Sequence, residues 1–141
     1  MAKEPRRKPV KVGVHEGDGP PPGYQWTVLV LDQAHSDAMS FLDETQYAHI
    51  ARQFRELAKE EEPTQSATVD VRANDGFHEL RDTGGVLKKI NARVFFYIIR
   101  QCRVILVLGA MNKKNDGKTP DYIRVLMRYR LRKYLGGQPP E

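Results

Sequence analysis

Two apolar segments separated by only four residues limit the folding of this chain more than any other feature. They are Val94 to Ile99 (VFFYII) and Val104 to Leu108 (VILVL). Both are rich in β-branched and aromatic side chains, which favour extended strands. Because so short a connection suits neighbouring antiparallel strands, the two segments predict a hairpin, although the turn lacks the usual Asn-Gly or Asp-Gly pair.

The segments before this hairpin add helices and further strands. Apolar side chains recur at helical spacing over residues 44–61, beginning at Asp43 or Glu44, and a shorter helical turn is predicted at 35–42. Trp26 to Leu31 is an apolar run too short for a helix and is predicted to be an inner strand. Phe77 to Asp82 gives a weaker strand pattern, and residues 64–75 are expected to be a loop that contains at most a short strand.

A last helix is predicted after Thr119, which is placed to cap it with Pro120 at its first position. Gly136-Gly137 ends the pattern. The predicted apolar face consists of Ile123, Leu126, Met127, Leu131, Tyr134 and Leu135. The order of elements is therefore strand, helices, three strands and helix, which predicts an α+β fold.

The first part of the chain differs in composition from the rest. Residues 1–23 hold five of the nine prolines together with several lysines and arginines, so they can bury little apolar surface. We expect a flexible basic tail over residues 1–23 and one domain over residues 24–141, a length that suits a single core.

The charge balance favours polyanionic partners. There are 23 Lys plus Arg against 18 Asp plus Glu, a formal net charge of +5. On the last helix Arg124, Arg128 and Arg132 are spaced to share one face, with Arg130 and Lys133 expected beside them. Such a stripe suits phosphate, but most charged helix faces serve only to contact water.

Further cations precede this helix. Lys113, Lys114 and Lys118 lie in a predicted loop over residues 109–120, where they would favour an anion or simply form a solvated connector. Arg81 and Arg93 lie on predicted strands. A strand arginine needs either an open concave face or an acidic partner, and Glu79 or Asp82 would provide the partner.

Several other classes of function are disfavoured. The four histidines (His15, His35, His49 and His78) lack paired metal-ligand spacing, and Cys102 is the only cysteine. We therefore expect no metal and no cofactor. Asp32 with Asp37, or the run Glu60 to Glu62, has the character of solvated carboxylates. No apolar run reaches the roughly 18 to 20 residues that span a bilayer, so we expect a cytoplasmic protein without membrane contact.

The order and spacing of the motifs in residues 76–135 resemble the RelE/HigB superfamily of toxin endoribonucleases, especially its phage-related HigB-like branch. The matching segments are Glu79-Leu80-Arg81, Ala92 to Tyr97, Val104 to Gly109, Lys113-Lys114 and Lys118-Thr119-Pro120. The resemblance implies a compact twisted antiparallel sheet with two N-terminal helices on one side and a C-terminal helix nearby.

The resemblance also implies an activity. Toxins of this superfamily typically enter the ribosomal A site and cut messenger RNA by attack of a 2′-hydroxyl on the adjacent phosphorus, without metal. Carried over by position, Arg81 and Arg93 would stabilise the phosphate, and Lys113 and Lys114 would hold the backbone or oppose charge at the transition state. Tyr122 would orient or stack on the substrate, with Tyr134 as the second candidate for this role. Lys118 and the stripe of Arg124, Arg128 and Arg132 would bind RNA.

The same resemblance leaves two hypotheses open. Many HigB-like members carry a histidine and an aromatic residue where this chain has Leu108-Gly109-Ala110-Met111, so the general base is not identified. The superfamily also includes ParE-type gyrase inhibitors, which share the fold without cutting RNA. A non-nuclease member that binds gyrase or nucleic acid is therefore the alternative. Either kind of toxin implies a cognate antitoxin, expected to be a helix-turn-helix protein.

Overall fold

The computed structural model describes residues 10–11, 22–115 and 117–136. Over these residues the protein is α+β, with three α-helices and one mixed sheet. Of the predicted tail, only residues 10–11 and 22–23 are described. In chain order the elements are β1 (Val10–Lys11), β2 (Thr27–Val30), α1 (Asp32–Met39), α2 (Glu44–Lys59), β3 (Asp70–Asn74), β4 (Phe77–Thr83), β5 (Asn91–Ile99), β6 (Val104–Asn112) and α3 (Asp121–Tyr134), with 3₁₀ turns at Pro63–Gln65, Gly85–Leu87 and Arg100–Cys102.

The sheet is mixed, so the entirely antiparallel sheet implied by the resemblance is wrong. Its strand order is β1-β2-β6-β5-β4-β3, and β2 pairs in parallel with β6 while every other neighbouring pair is antiparallel. The parallel register joins Thr27 to Val104 and Val30 to Val107. A parallel pair needs a long connection, and the chain between β2 and β6 contains two helices and three strands. The two-residue strand β1 pairs with β2 and makes β2 an inner strand, as predicted.

The predicted hairpin of β5 and β6 is confirmed and forms the centre of the sheet. A 3₁₀ turn joins the two strands, and Arg103 completes the reversal with a left-handed φ of 56°. Strand β6 continues to Asn112, opposite Ala92. The prediction of a loop from Gly109 onwards is therefore wrong for residues 109–112, because they pair with the first residues of β5.

A second hairpin joins β3 to β4, and its turn was missed in the sequence. Asp75 and Gly76 both have positive φ angles, 51° and 93°, as a two-residue type I′ turn requires. Asn74 and Phe77 face each other on either side of it. The Asp-Gly pair between two short alternating segments was a strong hairpin signal, and it fixes the register of an outer strand that was expected to be mostly loop.

Helix α2 begins where predicted because Asp43 forms a reciprocal cap with Gln46. The Asp43 carboxylate accepts a hydrogen bond from the Gln46 backbone N–H at 2.8 Å, and the Gln46 side-chain oxygen accepts one from the Asp43 N–H at 2.9 Å. The Gln46 amide also donates to the Val86 carbonyl at 3.1 Å. The cap therefore also links α2 to the turn that precedes β5.

The helices cover opposite faces of the sheet. On one face, α2 packs through Phe54, whose ring contacts Phe96 edge to face at 5.5 Å. On the other face, Met127 of α3 lies against Gly109 of β6. A β-carbon at Gly109 would lie 2.6 Å from the thioether of Met127 and 2.6 Å from Nη1 of Arg130. The glycine therefore allows α3 to approach the sheet closely.

Replacing Gly109 with alanine should weaken the packing of α3. The added methyl group must displace Met127 and Arg130, and overpacking of this kind typically costs about 1–3 kcal/mol. Urea unfolding followed by circular dichroism would measure the change. A Gly109→Ala variant as stable as the parent would show that α3 lies further from β6 than described.

Candidate nucleic-acid interface

The sheet face beneath α3 brings together the two strand arginines singled out in the sequence. Residues directly opposite each other on neighbouring strands share a face. Phe95 lies opposite Gly109 on one side and Glu79 on the other, and α3 packs on Gly109. The next pair on this face is Arg81 opposite Arg93. Two guanidinium groups therefore lie side by side under α3.

Glu79 is the carboxylate that balances these charges. Its side chain is 1% exposed. Oε1 accepts a hydrogen bond from Nε of Arg81 at 2.7 Å, and Oε2 accepts one from Nδ2 of Asn74 at 2.5 Å and lies 2.9 Å from the hydroxyl of Thr119. A buried carboxylate that loses its water needs such donors. Asn74, Arg81 and Thr119 therefore supply what solvent would otherwise provide.

Arg93 belongs to the same buried network. It is 1% exposed, its Nη1 donates to the Thr119 hydroxyl at 3.1 Å, and the same nitrogen lies 3.9 Å from Oε1 of Glu79. The sequence left either an open concave face or an acidic partner for the two strand arginines. Both of them lie next to the carboxylate of Glu79. The structure places Arg93 inside the protein, where a phosphate cannot contact it. The direct phosphate contact implied by the resemblance is therefore not open to Arg93 in this structure.

Thr119 was predicted to cap α3, but it does not. The residue at the capping position is Pro120, and no side chain caps the helix. Thr119 is 3% exposed, and its hydroxyl is engaged with Glu79 and Arg93. The rotamer that brings the hydroxyl to Glu79 and Arg93 leaves it without a bond to the helix N-terminus. Thr119 instead anchors the segment before α3 to the sheet.

Arg81 is the arginine of this group that solvent can reach. Its side chain is 22% exposed, and only its Nε is used in the hydrogen bond to Glu79. Its two terminal nitrogens bond to no described residue. A guanidinium held at one edge and open at the other can donate two parallel hydrogen bonds to a phosphate.

Two lysine-bearing connections meet at the end of the sheet next to Arg81. The turn before β5 carries Lys88 and Lys89, and the segment after β6 carries Lys113, Lys114 and Lys118. We call these five residues the lysine end. Asn91 joins the two connections: its carbonyl accepts from the Lys113 N–H at 2.9 Å, and its side chain donates to the Asn115 carbonyl at 3.2 Å.

The amino groups of the lysine end are available to an anion. Lys88, Lys89, Lys114 and Lys118 are exposed and Lys113 is half-buried. The Lys113 ammonium donates to the Asn115 side chain at 2.7 Å. Among the described residues, none of the five lysines forms a salt bridge. The sequence identified three of these lysines, whereas Lys88 and Lys89 were missed because only the pairing of β5 with β4 and β6 brings their turn alongside.

The predicted arginine stripe on α3 is only partly open. Arg124 pairs with Asp121, and Arg128 pairs with Asp75 at the tip of the β3–β4 hairpin. Arg132 is exposed. Tyr122, the predicted stacking residue, is 71% exposed in the first turn of the helix. These positions leave Arg132 and Tyr122 free to contact a ligand, while Arg124 and Arg128 already have acidic partners.

Arg130 was predicted to lie beside this stripe, but it does not. It turns inward, where its Nη1 donates to Asp37 at 2.7 Å and to the Leu108 carbonyl at 2.9 Å. Asp37 in turn accepts from the Ala110 N–H at 3.2 Å. Arg130 therefore joins α3 to α1 and to β6. Its acidic partner lies 93 positions away along the chain, so helical spacing alone did not predict this orientation.

The described histidines do not supply a base on the Arg81 face. His49 lies 2.6 Å from Asp82, whose side chain points to the opposite face from Arg81 because it is the next residue of β4. His78 stacks on Phe96, and burial lowers its pKa below the ordinary value. His35 contacts Tyr47 on the helices. His15 lies outside the described residues.

A separate open cleft of about 590 Å³ lies at the other end of the sheet. Its lining consists of Trp26, Glu60, Glu61, Glu62, Gln65, Arg100 and Arg103. Arg100 pairs with Glu62 and holds the pKa of that carboxyl at about 2. Because acidic and basic groups compensate each other there, this cleft favours a polyanion much less than the lysine end does.

Within the described ranges, no group of three or more His, Cys, Asp or Glu side chains is placed to hold a metal ion. None of the described helices has the length and apolarity to cross a membrane. No known protein family matches the sequence, and no curated protein shows significant similarity to it. Proposals about function therefore depend on the geometry of the site and on the motif resemblance.

Removing the Glu79 carboxylate should destabilise the protein strongly. In Glu79→Ala the buried Arg93 loses its acidic partner, and breaking one side of a buried ion pair typically costs about 3–5 kcal/mol. Urea unfolding would measure this loss.

Two variants control for that result. Replacing Glu79 with alanine and Arg93 with methionine together should recover much of the stability, because no fully buried charge remains. Asp70→Ala, which breaks the exposed pair with Arg72, should cost under about 1 kcal/mol. Equal losses in Glu79→Ala and Asp70→Ala would contradict the assignment of Glu79 as the buried counter-charge.

Proposed function

We propose that this protein is a RelE/HigB-like toxin that cleaves messenger RNA at the ribosome without a metal ion. The observation that carries the proposal is the position of Arg81. Its side chain is 22% exposed, its two terminal nitrogens bond to no described residue, its strand runs towards the sheet end that carries the lysine end, and Glu79 holds its Nε in place. A partly buried, preorganised guanidinium next to several unpaired ammonium groups is suited to bind a phosphodiester and to oppose charge that develops on it.

The reaction has a defined balance of bonds and protons. The 2′-oxygen forms a bond to phosphorus, the bond from phosphorus to the 5′-oxygen breaks, and a 2′,3′-cyclic phosphate remains. The proton of the 2′-hydroxyl leaves to a base, and the departing 5′-oxygen takes up a proton. In the proposed site, Arg81 donates to the non-bridging phosphoryl oxygens, while Lys113 and Lys114 place positive charge beside the attacked phosphate.

The remaining residues act around that centre. Thr119 and the buried Arg93 position Glu79, and Glu79 positions Arg81. Lys118 contacts the RNA backbone. Tyr122 presents an exposed ring on which a base can stack. On α3, Arg132 extends the phosphate contacts, and Arg124 and Arg128 join them when RNA competes with their carboxylate partners.

A toxin of this kind requires an antitoxin. We propose a helix-turn-helix partner protein that covers the lysine end and Arg81 when the toxin is inactive. Charge supports this partner, because the lysine end would be neutralised by acidic side chains. Isolation of the protein with the product of an adjacent reading frame, and loss of growth arrest when both are expressed, would test it.

The alternative is a non-nuclease member of the same fold, either a gyrase inhibitor or a nucleic-acid-binding protein. One observation favours it. None of the described histidines lies on the face of Arg81, so that face offers no histidine base. Mapping RNA ends in expressing cells separates the two hypotheses. New ends within codons support cleavage, whereas DNA damage with intact messages supports the gyrase hypothesis.

Expression of the parent chain should arrest growth and translation, and replacing Arg81 with glutamine together with Lys113 with alanine should relieve the arrest. Both changes remove charge at the proposed phosphate site without emptying the core. Arg93 is unsuitable for this test because its loss would also unfold the network around Glu79. Circular dichroism would confirm that the double variant is folded.

A matched control is available on α2, which packs on the other face of the sheet. Arg52 and Lys59 are both exposed there, and replacing them with glutamine and alanine removes the same number of charges. This variant should remain toxic. Full toxicity of a folded Arg81→Gln, Lys113→Ala protein would rule out the proposed site.

Binding of purified protein to a short single-stranded RNA should weaken steeply as salt rises. Each phosphate contact contributes roughly 0.7 to the slope of log affinity against log salt for single strands. Replacing both Lys113 and Lys114 with alanine should therefore lower the slope by about 1.4. Fluorescence anisotropy at several salt concentrations would measure it. An unchanged slope would show that these two lysines do not contact phosphate.

A further inference from the structure

One turn at the lysine end holds a lysine in a backbone conformation that suits glycine. Lys88 has a φ of 56° and a ψ of −115°. The Ile90 N–H donates to the Leu87 carbonyl at 2.9 Å, so residues 87–90 form a β-turn. The dihedral angles of Lys88 are those of the first central position of a type II′ turn. Glycine normally occupies that position, because a β-carbon is crowded there.

This conformation differs from the ordinary left-handed one. Arg103 has the same φ of 56° but a ψ of 56°, which single L-residues adopt at modest cost. Lys88 lies outside that region. The connection between β4 and β5 has positive φ angles at two further positions, and both are glycines: Gly84 at 80° and Gly85 at 54°. The third such position of this connection carries a side chain.

The surroundings prevent the turn from relaxing. Leu87, directly before Lys88, is 0% exposed and belongs to the core. The carbonyl of Val86 accepts the hydrogen bond from Gln46 at the start of α2. Strand β5 begins directly after the turn, at residue 91. A strained residue persists only where the structure around it fixes its conformation, and here the core, α2 and β5 do so.

Folding alone does not account for a lysine at this position. The side chain of Lys88 is exposed, and its ammonium forms no salt bridge within the described part of the chain. An exposed charge of this kind contributes little to stability. Glycine would relieve the strain, so the lysine makes the folded state less stable than it could be. Strain of this kind is concentrated at functional sites.

We propose that Lys88 is a further RNA-binding residue, whose strained turn fixes the backbone that carries the ammonium so that it contacts a phosphate of single-stranded RNA. This inference rests on the proposed function, which supplies the ligand. The turn leads into Asn91, whose carbonyl accepts from the Lys113 N–H. The two lysine-bearing connections are therefore joined at one place. A charge on a fixed backbone also loses less freedom when it binds.

Replacing Lys88 with glycine should change stability and RNA binding in opposite directions. The midpoint of thermal unfolding should rise by a few degrees, because glycine adopts this turn without strain. Affinity for a short single-stranded RNA should fall about fivefold at about 0.1 M salt, and the slope of log affinity against log salt should fall by about 0.7, since one phosphate contact is lost. Circular dichroism and fluorescence anisotropy would measure the two effects.

Two variants separate the contact from charge and from backbone strain. Lys89 is the next residue of the same turn, is exposed and has no positive φ. Lys89→Gly removes the same charge but should lower the unfolding midpoint, because glycine gains freedom in the unfolded chain. It should weaken RNA binding by less than about twofold, since a screened charge without a contact has a small effect. Lys88→Arg keeps charge and strain, so its stability and salt slope should match those of the parent.

Either of two results would overturn the inference. A Lys88→Gly protein no more stable than the parent would show that the turn carries no strain. Equal losses of affinity in Lys88→Gly and Lys89→Gly would show that net charge alone matters.

Failure of the proposed function gives a different result. In that case messages stay intact in cells that express the parent chain, whatever the purified variants bind. If the parent cuts messages and Lys88→Gly keeps the parent's salt slope, the inference about Lys88 fails alone. A parent chain with no affinity for RNA would overturn both.

Discussion

The hydrogen bonds to Glu79 organise the basic side of this protein. A carboxylate at 1% exposure is unfavourable by itself, but it lies between two arginines that would otherwise repel each other across β4 and β5. Asn74 of β3, Arg81 of β4 and Thr119 of the segment before α3 all reach it. One buried anion thereby aligns three separate parts of the chain.

The position of the candidate site follows from that constraint. Because the carboxylate bonds only to the Nε of Arg81, the two terminal nitrogens of the guanidinium keep their donors for a ligand. Because Thr119 is anchored beside Arg93, the lysines of the preceding segment stay at the end of the sheet, where Asn91 ties them to the turn before β5. Arg81 and the lysine end are therefore held in place by the buried side chains of Glu79, Arg93 and Thr119. Helix α3 covers this buried group.

The sequence predicted much of this architecture because local signals were strong. The β5–β6 hairpin, α2 with its Asp43 cap and the last helix all follow from residue type and period. The Asp75-Gly76 turn was also readable but was overlooked. The site was predicted less completely. Arg81, Lys113 and Tyr122 do face solvent, whereas Arg93 is buried, because exposure of a strand residue depends on what packs over it.

By itself, the sequence determined the α+β class, the strand and helix periods and the excess of positive charge, since each depends on residues close together in the chain. Only the tertiary structure decided that β2 pairs in parallel with β6, that Thr119 joins Glu79 instead of capping a helix, and that Arg130 turns inward to Asp37. Those outcomes depend on partners brought from far along the chain, and the burial that makes such contacts strong exists only after the sheet and its helices have packed.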